Sequence, residues 1–182
     1  MTFKTIDELN AELPHIRDAT KDAGEIHKLC YRPGFRKREF VDELSLSVAD
    51  GVKGDRWKEY GWLKLPDGSA DPRIQVCILP KRVLDCVWQE GGEVEYPGDT
   101  MIVDMDMSEA NLPAGTQLQA GSAIIEVSDV FNDACTKWSA RYGKQSREWI
   151  KLPENVPLRL RGILCLVVKD GDVKISDCLQ KL

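Results

Sequence analysis

The sequence predicts a mainly β protein, a β-barrel or sandwich carrying a few short helices. Three observations say so. Strand-like runs are numerous and short, with apolar residues at every second position. Tight-turn residues punctuate them, above all Gly121-Ser122 and Asp170-Gly171. Helical spacing is confined to a few short stretches, a mixture that suits a closed or stacked sheet. No repeat period, low-complexity segment or linker interrupts the 182 residues, so one domain over 1–182 is expected.

Along the chain, TIDELNAEL (5–13) sets Ile6, Leu9 and Leu13 at helical spacing behind Thr5 as N-cap. Residues 1–20 thus read as an N-terminal helical extension. GEIHKLCYRP (24–33) reads as a strand, with His27 exposed on it. REFVDELSLSVADG (38–51) alternates over Leu44, Leu46 and Val48, a second strand. GVKGDRW (51–57) is a turn with two glycines. RIQVCIL (73–79) is a strand stopped by Pro80, and KRVLDCVWQ (81–89) a short helix before the break EGGE (90–93). TMIVDMDM (100–107) alternates. GTQLQAGSAIIEVSDV (115–130) folds as a hairpin at Gly121-Ser122. DACTKWSARYG (133–143) has helix spacing, with Asp133 as N-cap and Gly143 as stop. SREWIKL (146–152) is another helix, capped by Ser146. LRGILCLVVKDGDVKISDCLQ (160–180) reads as two strands paired around Asp170-Gly171.

Composition narrows the function. Hydrophobic residues make up 42% and charged residues 30%, as in a water-soluble globular protein. The formal net charge of −5 argues against a nucleic-acid or anionic-membrane partner, both of which need a positive face. A local basic patch could still hold a small anion. No run approaches the roughly 20 apolar residues of a membrane span. The opening MTFKTIDELN has acids and no apolar run, unlike a secretory signal. The expectation is a cytoplasmic protein with reduced thiols. The six cysteines then need no disulfides, and five of them sit in apolar, strand-like surroundings.

Cys135 is the exception, set in FNDACTKWSARYG (131–143) among polar and charged residues. With Asp133 as cap it falls in the first helical turn, where unpaired N–H groups and the helix dipole stabilise an anion. Lys137 and Arg141 add positive charge, so its thiol pKa is expected to fall. A thiolate ligates soft metals or carries sulfur; a plain helix residue is the alternative. Other arrangements fail by count. The two histidines, His15 and His27, lie near the N-terminus, and no CxxC exists for zinc. GVKGDRW lacks the Gly-Lys-Ser/Thr ending of a P-loop. Gly54-Asp55-Arg56 and Gly98-Asp99-Thr100 read as tight turns. LRLRG sets Arg159 and Arg161 on one face of a strand; they could hold a phosphate in paired contacts or form a solvated face.

From about residue 12 onward, the order GVKGDRW, YPGDTMIVDMDMSEANLPAGTQLQAGSAIIEVS, ACTKWSARYG, LRLRGILCLVVKDGDVKISD resembles the MOSC family, named for the C-terminal domain of molybdenum cofactor sulfurase. The resemblance implies a MOSC-type β-barrel with a few short helices. It implies that Cys135 is the family's reactive cysteine, carrying sulfur or ligating molybdenum in a molybdopterin-type cofactor. Asp55, Asn111, Arg159 and Arg161 match motif positions, and Lys137, Arg141 and the two arginines would neutralise the pterin phosphate. Two departures stand out: Asn132-Asp133-Ala134 replaces a frequent His-Thr-Gly, and Ser176-Asp177 replaces Gly-Asp. The implied chemistry is reduction of a small N-hydroxylated compound. With no haem or flavin motif, electrons would come from a partner protein. A persulfide carrier fed by a sulfur-donor protein and a non-catalytic binding module are the alternatives. The chain shows no pyridoxal-phosphate site.

Overall fold

The structure, a computed structural model, describes residues 3–88 and 96–182. The expected break at 90–93 lies outside them. The fold is mainly β: a closed seven-stranded barrel with a few short helices. Strand β1 (Ala23–Tyr31) pairs with β11 (Cys178–Lys181), then come β7 (Gln117–Ala120), β8 (Ala123–Val127), β9 (Ile163–Lys169), β5 (Val76–Pro80) and β6 (Met101–Asp104), which returns to β1. Only β5 and β6 run parallel among these neighbours. The short β2 (Glu39–Val41) extends β1, and β3 (Glu43–Ser47), β4 (Gly51–Val52) and β10 (Gly171–Lys174) form a small second sheet.

Barrel closure explains the burial pattern. Inward residues Val76, Ile78, Met101, Val103, Ile163, Cys165 and Val167 fill the interior. Outward Leu79 and Ile102 are buried too, against Trp138, Tyr142, Trp149 and Leu160 of a helical layer. So 101–103 are buried throughout rather than alternating, because β6 is covered on both faces. That layer contains α4 (Lys81–Val87), α5 (Thr136–Tyr142) and α6 (Lys144–Ile150). At the N-terminus, α1 (Ile6–Ala11) begins as expected: Thr5 Oγ1 accepts from the Glu8 N–H, and Glu8 accepts from the Thr5 N–H at 2.7 Å. It stops at Ala11, and α2 (Leu13–Arg17) follows where one helix was expected. Among the described residues no helix is long and apolar enough to cross a membrane.

Asp170-Gly171 does not pair β9 with β10. The Asp170 carboxylate accepts from the Val48 N–H at 2.8 Å, and Gly171 lies against the backbone of Ser122 and Ala123 with no room for a Cβ. The chain therefore leaves the barrel there, β10 pairs with β3, and a third strand, β11, closes the barrel. Helix α5 starts at Thr136 with Cys135 as N-cap, one place earlier than a first-turn position; Asp133 pairs with Lys151 at 2.8 Å instead of capping. Helix α6 starts at Lys144, so Ser146 lies inside it, buried, accepting from Trp138 Nε1 and donating to the Gly143 carbonyl. Strand β3 ends at Ser47, leaving Val48 exposed. The β5 run begins at Val76, because Pro72–Ile74 form a 3-10 turn. Cys86 is on a helix and Cys178 is exposed, so not all five remaining cysteines are in apolar strands. All six thiols are free.

Gly162, just before β9, has φ +86°, and a Cβ there would sit 1.8 Å from the Ile78 carbonyl oxygen. Gly162→Ala combines left-handed strain with a backbone clash, and should destabilise the protein by about 3 kcal/mol. Urea unfolding checks this; a loss below about 1 kcal/mol would show that β5 and β9 can part there.

Candidate functional site

Asp99, in the turn before β6, organises the site. Its side chain is fully buried and accepts from Arg161 Nη1 at 2.6 Å and Nη2 at 3.1 Å. Cys77 Sγ lies 2.8 Å from Asp99 Oδ1. The Arg161 guanidinium stacks 4.8 Å from the centroid of buried Trp138 on α5, and its Nε is buried without a hydrogen-bond partner. Asn132 Nδ2 donates to the Arg161 carbonyl at 3.2 Å and reaches Cys77 Sγ at 3.5 Å. Burial opposes the charge on Arg161, but the Asp99 carboxylate outweighs it; the Cys77 and Cys135 sulfurs act in the same direction. Cys135 is exposed at the head of α5, within the electrostatic reach of this guanidinium. Ala134 before it holds φ +59°, a conformation glycine takes most readily, and its carbonyl accepts from Arg147 Nε.

A second ion pair borders the first. Asp55 accepts from Arg32 N–H at 2.7 Å, from Nε at 2.9 Å and from Nη2 at 3.0 Å, and also from the Trp57 N–H. The turn reading of Asp55 is thus joined by a buried counterion role. Arg32 and Arg38 both lie against Gly98, the neighbour of Asp99. Lys137 Nζ stands 4.9 Å from the centroid of the Phe35 ring. Arg141 follows it one turn later on α5.

Two expected members lie elsewhere. Arg159 and Arg161 are not on one strand face: they fall in the turn between a 3-10 helix (Val156–Leu158) and β9. Arg159 is left-handed, φ +49°, which swings its guanidinium to the Leu112 carbonyl and to Glu109, 3.9 Å away. Asn111 is a brace. Its Nδ2 donates to the carbonyls of Lys21 and Asp106, and its own carbonyl accepts from Lys181. Neither histidine contacts the cluster. The His15 carbonyl accepts from Arg82, and His27, half-buried rather than exposed, faces Glu25.

Among the described residues no three His, Cys, Asp or Glu side chains gather as a metal site. Cys178 is exposed as well, whereas the remaining four thiols are poor nucleophiles. Burial pushes Cys30 up to about 11 and Cys86 up to about 12, and raises Cys165. Burial and then the Asp99 charge raise Cys77 far above a free thiol. The arrangement offers one accessible sulfur beside fixed positive charge.

Arg161→Met leaves the Asp99 carboxylate buried and unpaired and should cost about 3 kcal/mol, as should Asp99→Asn, while the double variant should recover part of the loss. Additive losses in urea unfolding would show that the pair is uncoupled. In native protein Cys135 and Cys178 should alkylate first. Cys135 should also gain relative to Cys178 when neutral iodoacetamide is replaced by anionic iodoacetate, because Arg161 and Lys137 attract the anion. Peptide mapping showing an equal ratio at both would contradict a cationic setting for Cys135.

No family model matches the chain, and no curated protein sequence matches it. Solved structures do. The crystal structure of a hypothetical protein is similar with TM-score 0.63 and 21% identity, covering 92% of this chain and 70% of that one. YuaD from Bacillus subtilis is similar with TM-score 0.58 and 18% identity, over 86% of this chain and 94% of that one. YiiM from Escherichia coli gives 0.55 and 20% identity, over 86% and 69%. YuaD and YiiM are MOSC-domain proteins, and the chain has a MOSC-like fold.

Proposed function

We propose that this protein binds a molybdopterin-type cofactor, with Cys135 as the protein's ligand to the metal. The observation that carries the reading is the exposed Cys135 sulfur at the head of α5, beside the buried Arg161–Asp99 pair. The residues fit such a group in two respects. Arg161 Nε is a buried donor with no partner in the protein, which an anionic ligand atom would satisfy. One thiolate suffices where the metal brings its remaining ligands within the cofactor, and the described residues offer no cluster for a bare ion. When bound, the cofactor would supply two-electron redox chemistry, applied here to a small N-hydroxylated substrate with electrons from a partner protein.

The chain's own residues perform the rest. Cys135 supplies a soft anionic ligand. Asp99 holds the Arg161 guanidinium in one orientation, within electrostatic reach of Cys135. Lys137 adds an exposed cation two residues on. Asn132 fixes the Arg161 carbonyl and provides no titratable proton. Asp133 is tied to Lys151 at the surface, so protons would come from solvent. The same exposed thiol, lacking a companion ligand, also suits a persulfide carrier.

Purification from cells that make the cofactor separates these readings. Elemental analysis should give close to one molybdenum per chain, lost in Cys135→Ser. Absence of molybdenum together with a mass gain of one sulfur atom on Cys135 would replace the cofactor reading with the carrier. Absence of both would leave a binding module.

A further inference from the structure

Phe35 lies between β1 and β2, and it is 67% exposed. Three cations gather round its ring. Lys137 Nζ is 4.9 Å from the centroid, Arg36 Cζ 5.5 Å and Arg56 Cζ 5.8 Å. They come from three places in the chain: the loop that carries Phe35, the N-cap of α3 (Trp57–Tyr60), and the first turn of α5, two residues beyond Cys135. Among the described residues no carboxylate lies within ion-pair distance of any of the three, although the protein carries a net charge of −5. By contrast Arg32, Arg73 and Arg161 are all paired with carboxylates. Arg36 takes φ +62°, a conformation unusual for a side-chain-bearing residue.

Bringing three like charges together costs energy, and the ring quadrupole offsets only part of it. A bound anion would offset the remainder. We propose that Phe35, Arg36, Arg56 and Lys137 form a binding site for a phosphate-bearing group, a phosphate monoester or a diphosphate. Three cations favour a dianion over a single carboxylate, and the two guanidinium forks match the geometry of phosphate oxygens. The ring acts as the hub that holds the cations in place. The link between this anion and chemistry at Cys135 rests on the function proposed above; the anion site itself does not. The phosphate could belong to a cofactor bound at Cys135 or to a separate phosphorylated substrate.

The test uses inorganic pyrophosphate as probe, by isothermal titration calorimetry on the full chain carrying Cys135→Ser, so that a failure of the thiol reading leaves the result intact. Pyrophosphate should bind. Lys137→Met and Arg36→Met should each weaken it by about fivefold, as expected for exposed charges, and Phe35→Ala should weaken it as well. Lys144→Met, removing an exposed lysine on α6 that pairs with Glu148, should change it less than twofold. No binding, or an equal loss in Lys144→Met, would overturn the site. Circular dichroism melting keeps misfolded variants out of the comparison. Phosphorus analysis of protein from cofactor-making and cofactor-deficient cells then assigns the source. Bound phosphorus that disappears with the cofactor belongs to it; phosphorus retained in both and lost in Lys137→Met belongs to a separate ligand.

Discussion

A buried carboxylate must be paired, and Asp99 is paired with Arg161, 62 residues further on. This one requirement gathers the site. Asp99 precedes β6, Cys77 lies on β5, Arg161 precedes β9, and Asn132 and Trp138 flank Cys135. A pair of this kind adds little net stability over apolar packing, but it permits few alternative arrangements. Fixing the guanidinium between a carboxylate and an indole sets the electrostatics around Cys135 before any ligand arrives. The Asp55–Arg32 pair repeats the device next door, and both arginines Arg32 and Arg38 crowd Gly98. The site is therefore a layer of charge on the outer wall of the barrel, where outward-facing Cys77 and the Arg161–Asp99 pair meet Trp138 of the helical layer.

The barrel supplies rigidity, and the segments between its strands store the strain. Ala134, Arg159 and Gly162 all hold positive φ within or beside the segments that deliver Cys135 and Arg161. Such conformations persist only where the surroundings over-determine them. Trp138 and Trp149, both buried, anchor α5 and α6 to the barrel wall, and Trp149 Nε1 donates to Asn10 on α1. The N-terminal helices thus brace the helical layer that carries the cysteine.

What was legible in the sequence was local. The capping box at Thr5, the hairpin at Gly121-Ser122 and the stop at Gly143 each depend on a few adjacent residues, and each is present. The different setting of Cys135 was legible for the same reason: its neighbours in sequence are its surroundings. Pairings over distance were not. Asp170-Gly171 looks like a hairpin turn, yet the partner of β10 is β3, more than a hundred residues earlier. Asp99 was singled out as a turn residue, but nothing near it in sequence announces Arg161. Arg159 and Arg161 read as strand neighbours because their spacing fits a strand; the left-handed backbone at Arg159 sends them apart. The cations round Phe35 come from three separated segments, and only Lys137 carried a signal through its closeness to Cys135.

Of the two exposed thiols, Cys135 is the one at the head of α5 beside the buried Arg161–Asp99 pair, and we propose it as the reactive point. That claim concerns one bond, between a protein sulfur and the metal. X-ray absorption at the molybdenum edge reads it directly, on wild-type protein and on Cys135→Ser reloaded with the same cofactor. The account predicts one sulfur neighbour fewer in the variant. Identical sulfur coordination in the two proteins, or a wild type that takes up no molybdenum, would contradict it.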